Sequence, residues 1–205
     1  MEPAAPPLPR PGETLPEFKL ASAGGGEVGV SDYRGRKNLL LWFSKGLFCP
    51  YCRRNMARLS QACAQFQDCN AEILQVTINT LKEANLYFRN YRLATPYLCD
   101  PDLQAHWKYG ITRETQTARA VAENIVNSVA MVGEDLLLHG QRSPVPVVPI
   151  MRMGVMNQLP QLIVAADRSG VVRHVQQIGP FDTLPTVAEL LAVLEPLRSE
   201  FPSVA

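Results

Sequence analysis

The chain has 205 residues, and 20 Lys plus Arg against 19 Asp plus Glu give it a formal net charge of +1. This balance argues against nucleic acid as the main partner, because binding phosphates requires a basic face. Apolar residues make up 46% of the chain, which is typical of a folded globular protein and too apolar for a disordered one.

The sequence shows neither a membrane-spanning segment nor a secretory signal peptide. The longest apolar run, Leu39–Phe43, is far shorter than the ~20 residues that cross a bilayer, so we expect no membrane segment. The opening Met-Glu-Pro-Ala-Ala-Pro-Pro lacks the basic and apolar regions of a signal peptide, so we expect a cytoplasmic protein.

The N-terminal part predicts a tail followed by a hairpin and a buried strand. Residues 1–12 contain five prolines, so we predict a Pro-rich disordered tail there and a single domain over residues 13–197. Alternation in Leu15–Leu20, a Gly24–Gly26 turn and a return through Val30 predict an N-terminal β-hairpin. The continuous apolar run Asn38–Ser44 predicts a central strand that is covered on both faces.

Helices and strands are then predicted to alternate. Apolar residues at helical spacing, or in short runs bounded by proline, give the following elements in order: a helix from Pro50 to about Gln67, a strand Glu72–Ile78, a helix Leu81–Tyr91, a short strand Tyr97–Asp100 and a short helix Pro101–Lys108. This alternation predicts an α/β fold with a parallel core and helices on both faces of the sheet.

Residues 112–157 interrupt this rhythm and are predicted to be an insertion. It contains a helix Thr115–Val132, with Ala118, Val121, Ala122, Ile125, Val129 and Val132 on one face, and a Pro-containing loop, His139–Met153. A closing hairpin, Leu159–Ala165 and Val171–Gln177, is expected to add antiparallel edge strands, which makes the sheet mixed. A last helix, Thr186–Leu197, precedes a C-terminal tail, 198–205.

The pair Cys49 and Cys52 in Cys-Pro-Tyr-Cys is the most informative motif. A cysteine directly before a helix lies beside unpaired backbone N–H groups and the positive end of the helix dipole, which stabilise its thiolate. Lys45 and Arg53 would add positive potential. Cys52 lies one helical turn deeper and can form a disulfide with Cys49. We therefore predict Cys49 as the attacking nucleophile and Cys52 as the resolving thiol.

Several neighbours are expected to shape this site. Pro50 suits the first helical position and stiffens the turn. Tyr51 should lie partly exposed beside the sulfurs, and Phe48 could form an apolar docking surface for a partner. We interpret the other three cysteines as structural thiols: Cys63, Cys69 and Cys99.

A metal site is the main alternative for a Cys-x-x-Cys pair. Zinc usually requires a second such pair or two histidines at short spacing. The chain has no second pair, and its three histidines, at 106, 139 and 174, are far apart in sequence. We therefore predict neither a metal nor a cofactor.

The order of these elements around one Cys-x-x-Cys resembles the thioredoxin fold. Several stretches resemble AhpC/TSA-type redoxins, the peroxiredoxin-like branch of that fold: Glu13–Leu20, Tyr33–Arg36, Pro96–Asp102, Trp107–Ile111 and Val164–Val172. The resemblance covers about residues 13–111 and 156–197. It implies a thioredoxin-like fold in which Leu159-Pro160 corresponds to the cis-proline loop that faces the dithiol.

One departure from this family favours thiol–disulfide exchange over peroxide reduction. Peroxiredoxins carry Pro-x-x-x-Thr/Ser-x-x-Cys, and neither Cys49 nor Cys52 keeps that motif. Leu159-Pro160-Gln161 stands where the resemblance would place an arginine. The leading hypothesis is therefore a thiol–disulfide oxidoreductase that acts on a disulfide-containing protein or a small thiol and is reduced by a thioredoxin- or glutathione-type donor.

Two alternatives stay open. The chain could be a peroxiredoxin-like thiol peroxidase, an antioxidant that reduces hydroperoxides. It could instead be a redox-responsive binding module in which residues 112–157 form the partner surface. The sequence does not decide whether the protein is a homodimer.

Overall fold

A computed structural model describes residues 5–92, 94–139, 157–180 and 182–198. Within these ranges there are nine strands, in chain order β1 (Lys19–Ser22), β2 (Glu27–Gly29), β3 (Asn38–Ser44), β4 (Ala71–Thr77), β5 (Tyr97–Cys99), β6 (Glu114–Thr115), β7 (Asn157–Gln158), β8 (Gln161–Ala166) and β9 (Val172–Ile178). The described residues form six α-helices: α1 (Pro50–Gln61), α2 (Cys63–Asp68), α3 (Leu81–Phe88), α4 (Gln104–Lys108), α5 (Ala118–His139) and α6 (Val187–Arg198).

The main sheet has seven strands in the order β2-β1-β5-β4-β3-β8-β9. Strand β3 is parallel to β4 and antiparallel to β8, and β4 is parallel to β5. Every residue of β3 is buried because the strand lies in the middle of the sheet. The predicted strand Asn38–Ser44 is thus confirmed residue for residue. The predicted mixed α/β sheet is also confirmed.

Alternate residues of β3 point into two separate apolar layers. Leu41 and Phe43 pack with the N-terminal segment and with Tyr109, which follows α4. Leu40 and Trp42 face the opposite layer, where α1, α2 and α6 cover the sheet. Cys49 and Cys52 belong to this second layer, which places the cysteine pair at the edge of a helix-covered core.

Two helix and strand predictions need correction. The predicted helix over 50–67 is broken at Ala62, whose ψ of 4° ends α1 before α2 begins. The closing hairpin does not supply two edge strands: β8 lies inside the sheet between β3 and β9, and only β9 is at the edge. All six residues of β8 are buried accordingly.

The N-terminal segment differs from the predicted tail over residues 1–12, because residues 5–12 pack on the fold. The N–H of Gly12 donates to the carbonyl oxygen of Val172 at 2.8 Å. Gly110, at φ +73°, allows the segment to approach closely, since a Cβ there would lie 2.6 Å from the Pro6 carbonyl oxygen. The limits 13–197 for a single domain stay a prediction.

The insertion helix is present as α5, Ala118–His139 instead of the predicted Thr115–Val132, and most of its predicted apolar face is exposed. Helix α5 buries Val121 and Met131, whereas Ile125 and Val129 are 52% and 67% exposed. Ala118 and Ala122 are also exposed. Strands β6 and β7, which the sequence did not predict, pair with each other at the two ends of the insertion. The predicted loop after His139 and the C-terminal tail beyond residue 198 lie outside the described residues.

None of the helices in the described ranges is long and apolar enough to cross a membrane.

Candidate active site

Cys49 lies at the junction between the central strand and α1. A short 3-10 turn, Gly46–Phe48, follows β3, and Cys49 then adopts an extended conformation at φ −95° and ψ 115° as the N-cap of the helix. Pro50 occupies the first helical turn, where its missing N–H is not needed. The motif therefore has the predicted strand-to-helix placement.

A backbone hydrogen bond joins the two cysteines. The N–H of Cys52 donates to Sγ of Cys49 at 3.3 Å, as a capping side chain would accept it. Both sulfurs are free thiols, and Cys49 is 6% exposed while Cys52 is 1% exposed. Cys49 is thus nearer to the surface, in the order that a nucleophile and a resolving thiol require.

Two cationic side chains, Lys45 and Arg53, lie close enough to Cys49 for their charges to lower its pKa. Lys45 is 6% exposed, and its Nζ donates to the carbonyl oxygen of Pro180 at 2.5 Å and to Oε1 of Gln158 at 3.4 Å. Arg53 donates through Nη1 to the carbonyl oxygen of Leu47 at 2.6 Å. This last bond ties the first turn of α1 to the 3-10 turn before it.

The pKa values of the two thiols are shifted in opposite directions. A hydrogen bond from the Cys52 side chain lowers the pKa of Cys49 to about 6 despite burial, with help from the charge of Lys45 and from the backbone N–H of Cys52. Burial, together with the same interaction with Cys49, raises the pKa of Cys52 well above the usual value for a thiol. At neutral pH the arrangement favours a thiolate at Cys49 and a protonated Cys52.

Asn79 stabilises the turn that precedes Cys49, and the sequence did not predict Asn79 as a site residue. Its Oδ1 accepts hydrogen bonds from the N–H of Leu47 at 2.9 Å and from the hydroxyl of Tyr97 at 2.6 Å. Gly46, at φ +71°, leaves room for this amide, because a Cβ on Gly46 would overlap Oδ1 of Asn79. The asparagine follows β4 without any local motif that would have identified it.

Gln161 is the second residue that sequence reasoning missed as a site residue. Its Oε1 accepts from Nε1 of Trp42 at 3.1 Å and lies 3.7 Å from Sγ of Cys52. Its Nε2 donates to the carbonyl oxygen of Asp182 at 3.4 Å. The available signal was a polar residue at the start of the apolar stretch Leu-Ile-Val-Ala-Ala, where the strand is buried.

The remaining predicted site residues are Phe48, Pro50 and Tyr51, which adjoin the pair in sequence, and Pro160, which comes before strand β8. Phe48, Pro50 and Tyr51 are half-buried around Cys49. Pro160 is buried directly before Gln161 and lines a small cavity of about 30 Å³ that also includes Ile111. The described residues contain no cis peptide bond, so Pro160 differs in this respect from the cis-proline loop that the resemblance implies.

The other three cysteines lie in separate surroundings. Cys63 is half-buried rather than buried, and its thiol donates to the carbonyl oxygen of Ala94 at 3.8 Å. Cys69 and Cys99 are buried, and burial raises the pKa of Cys99 to about 11. Such thiols are poor nucleophiles at neutral pH. Within the described ranges, no three His, Cys, Asp or Glu side chains are placed to share a metal ion.

A polar groove adjoins the segment that carries Pro180 and Asp182. Its volume is about 420 Å³, and it lies between α5 and the chain after β9. The lining includes Gln116, Asn124 and Asn127 from one side and Gly179, Pro180 and Asp182 from the other. Lys45 and Gln161 donate hydrogen bonds to Pro180 and Asp182. The same segment of chain therefore lines the groove and contacts these two side chains.

Comparison with known proteins places the chain among thiol-dependent redox proteins. The model of the AhpC/TSA family matches residues 11–136. A Mycobacterium tuberculosis protein that is named a candidate peroxiredoxin is 24% identical over 125 residues, which are 61% of this chain and 79% of that protein. The thiol-disulfide oxidoreductase ResA of Geobacillus thermodenitrificans is 29% identical over 101 residues, which are 49% of this chain and 57% of ResA.

Solved structures agree on the fold. The structure is similar to peroxidoxin BcpB from Mycobacterium tuberculosis, with a TM-score of 0.64, 14% identity and coverage of 93% of this chain and 99% of that one. It is also similar to the reduced 2-Cys peroxiredoxin of Plasmodium vivax, with a TM-score of 0.60, 18% identity and coverage of 90% and 79%. The thioredoxin-like fold implied by the sequence resemblance is confirmed.

Proposed function

The chain belongs to the AhpC/TSA family, and from that premise we propose that it exchanges thiols and disulfides through Cys49 and Cys52. Its class is that of a thiol-dependent oxidoreductase, to which its relatives belong. The single observation that carries the proposal is the hydrogen bond from the N–H of Cys52 to Sγ of Cys49 at the start of α1. This bond stabilises a thiolate on the more exposed sulfur and keeps the second sulfur one turn away.

The proposed reaction has two displacements. The Cys49 thiolate attacks one sulfur of a substrate disulfide, forms a mixed disulfide and releases the other substrate sulfur as a thiolate. The Cys52 thiol gives its proton to that thiolate and then attacks Sγ of Cys49. The Cys49–Cys52 disulfide forms, and the second substrate sulfur leaves as a thiolate. Two electrons have passed from the protein dithiol to the substrate disulfide.

The protonation states before the reaction support this order of events. With a pKa of about 6, roughly nine-tenths of Cys49 is thiolate at pH 7. Lys45 is buried nearby and compensates part of that negative charge. Cys52 stays protonated until Cys49 is consumed, since its own pKa is raised. Before the reaction, Cys49 therefore provides a nucleophilic thiolate and Cys52 provides a thiol that can donate a proton.

The partners proposed for this cycle follow from its chemistry. The substrate is a disulfide-containing protein or a small-molecule disulfide, and a thioredoxin- or glutathione-type donor restores the dithiol. Half-buried Phe48 and Tyr51 provide apolar surface beside Cys49 on which such a substrate can rest. The oligomeric state stays open, and a cytoplasmic location stays a prediction.

Redox titration with thiol labelling tests the proposal. Wild-type protein is equilibrated in thiol–disulfide buffers of graded potential, trapped with an alkylating reagent and analysed by mass spectrometry. We expect one reversible two-electron transition in which Cys49 and Cys52 are protected together. Cys49→Ser should abolish disulfide reductase activity, and Cys52→Ser should trap a mixed disulfide on Cys49.

Cys63→Ser is the matched control, because it removes an accessible thiol without touching the pair. It should leave both the transition and the activity unchanged. Full reductase activity in Cys49→Ser, or oxidation of Cys49 to a disulfide with a cysteine other than Cys52, would show the proposal to be wrong.

Peroxide reduction is a second candidate, which the peroxiredoxin name of a relative and the low pKa of Cys49 favour. The Cys49 thiolate would attack one peroxide oxygen, and the O–O bond would break. After uptake of a proton, an alcohol or water leaves and Cys49 becomes a sulfenic acid. The Cys52 thiol would then condense with it, releasing water and forming the same disulfide.

Stopped-flow oxidation by hydrogen peroxide separates the two candidates. A peroxidase should consume peroxide much faster than a small-molecule thiol with an equal thiolate fraction. A rate equal to that of the small thiol would exclude the peroxidase and leave disulfide exchange.

A further inference from the structure

The side chain of Gln161 has a fixed orientation at the buried end of the site. The indole Nε1 of Trp42 can only donate, so the amide atom 3.1 Å from it is the oxygen. The carbonyl oxygen of Asp182 can only accept, so the atom that faces it is the NH₂ nitrogen. Gln161 is 1% exposed, and its neighbours therefore leave it no second orientation that satisfies both groups.

This orientation aims an acceptor at the thiol of Cys52. An amide oxygen has two acceptor positions; Trp42 occupies one, and Sγ of Cys52 lies 3.7 Å from the same oxygen. Since that oxygen cannot donate, the sulfur must supply the proton. The contact therefore exists only while Cys52 is a protonated thiol.

The Cys52 thiol carries one proton, but it has two acceptors. One is Oε1 of Gln161, and the other is Sγ of Cys49, which the Cys52 side chain also reaches by a hydrogen bond. A charged sulfur is the stronger acceptor, because charge-assisted hydrogen bonds are roughly twice as strong as neutral ones. The proton therefore turns to Cys49 when that residue is a thiolate and to Gln161 when it is not.

We propose that Gln161 is a positioning residue that competes with Cys49 for the proton of the Cys52 thiol and so limits how readily Cys49 ionises. The inference rests on the proposed function, in which Cys49 is the attacking thiol. By stabilising the state in which Cys49 is neutral or bound to substrate, Gln161 disfavours the thiolate by the free energy of one weak hydrogen bond. While Cys49 is joined to the substrate in the mixed disulfide, the same contact keeps the Cys52 thiol protonated until Cys52 attacks Cys49.

The test is a double-mutant cycle in which the acidity of Cys49 is measured in the reduced protein. Alkylation rates are measured against pH for wild type, Gln161→Met, Cys52→Ala and the double variant. Gln161→Met should raise the acid dissociation constant of Cys49 about threefold, as expected for losing one weak competing hydrogen bond. In the Cys52→Ala background the same substitution should have no effect, because the shared proton is gone.

Two further variants keep the result interpretable. Gln75→Met makes the same substitution at another buried glutamine, whose amide donates to Oγ of Ser44 at 3.1 Å, and it should leave the acidity of Cys49 unchanged. If Gln161→Met does not fold, Gln161→Asn keeps an amide but withdraws its oxygen by one methylene. It should act in the same direction as Gln161→Met.

An effect of Gln161→Met that persists at full size in the Cys52→Ala background would overturn the inference, since it would come from polarity or packing alone. No effect in either background would overturn it as well. Neither result depends on the proposed function, which fails separately if wild-type Cys49 and Cys52 form no disulfide in the redox titration.

Discussion

Nζ of Lys45 donates a hydrogen bond to the carbonyl oxygen of Pro180 over 2.5 Å, which ties a buried cation beside the cysteine pair to the chain after β9. Burying a charge is costly unless polar groups compensate it. The carbonyl oxygen solvates the ammonium group on one side, while a thiolate at Cys49 complements its charge. The segment after β9, far from the motif in sequence, therefore takes part in setting the acidity of Cys49.

Removing this cation should make Cys49 less acidic. Lys45→Met keeps the length of the side chain and removes its charge, so we expect the pKa of Cys49 to rise by about one pH unit. Alkylation rates of the reduced protein against pH measure the shift. Lys37→Met, which breaks a pair with Glu72 away from the site, is the matched control and should leave the profile unchanged. An unaltered profile in Lys45→Met would show that the ammonium group does not stabilise the thiolate.

The pH dependence of Cys49 reactivity follows from its lowered pKa. Only the thiolate reacts, so the alkylation rate should rise as pH increases through about 6. Roughly a tenth of the maximal rate is expected at pH 5 and roughly nine-tenths at pH 7. Cys49→Ser should remove this phase. A single midpoint near that of an ordinary thiol, ~8.5, would contradict the described site.

Gly46→Ala should destabilise the fold and displace the turn before Cys49. An alanine at φ +71° costs about 1–2 kcal/mol, and its Cβ would also overlap Oδ1 of Asn79, so we expect a total loss of about 3 kcal/mol. Gly35→Ala is a close control, because Gly35 has φ +75° but no atom within 4 Å of its would-be Cβ. Urea unfolding of both variants measures the difference. Equal losses would mean that the Asn79 contact contributes nothing.

Asp100 and His106 form a buried pair on the other side of the sheet from the cysteines. Oδ2 of Asp100 accepts from Nδ1 of His106 at 2.6 Å, and its carboxylate also accepts from the N–H groups of Gln104 and His106 at the start of α4. Burial raises the pKa of Asp100, but these hydrogen bonds outweigh it and lower the pKa overall. Asp100→Asn should therefore cost about 3 kcal/mol of unfolding free energy at pH 7.

The same pair predicts a pH dependence with a definite sign. A carboxyl whose pKa is lower in the folded state contributes stability above its unfolded pKa of ~3.9 and loses it as pH falls through the folded value. The stability difference between wild type and Asp100→Asn should thus shrink below pH 4 in chemical unfolding. Asp102→Asn, at an exposed neighbouring carboxylate, should show little change at either pH. A difference that is constant with pH would contradict an ionised Asp100 in the folded state.

Much of the central architecture could be predicted because it is encoded in short-range patterns. The run Asn38–Ser44 is apolar throughout, and only a strand covered on both faces requires that at this length. The hairpin near the N-terminus was recognisable from its glycines and alternation. Helix α5 shows the limit of such patterns. Its apolar spacing predicted one apolar face, yet Val121 is the only member of that face buried among the described residues, and the buried Met131 lies outside it.

The sequence by itself determined that Cys49 precedes a helix and that Cys52 lies one turn further on, because both facts depend on residues only three apart. The tertiary structure alone decided what surrounds the two sulfurs. The bond from Trp42 to Gln161 joins residues 119 apart in sequence, and the bond from Lys45 to Pro180 joins residues 135 apart. Burial and hydrogen bonds between distant segments set the acidity of the thiols, and no local pattern encodes which distant groups will meet.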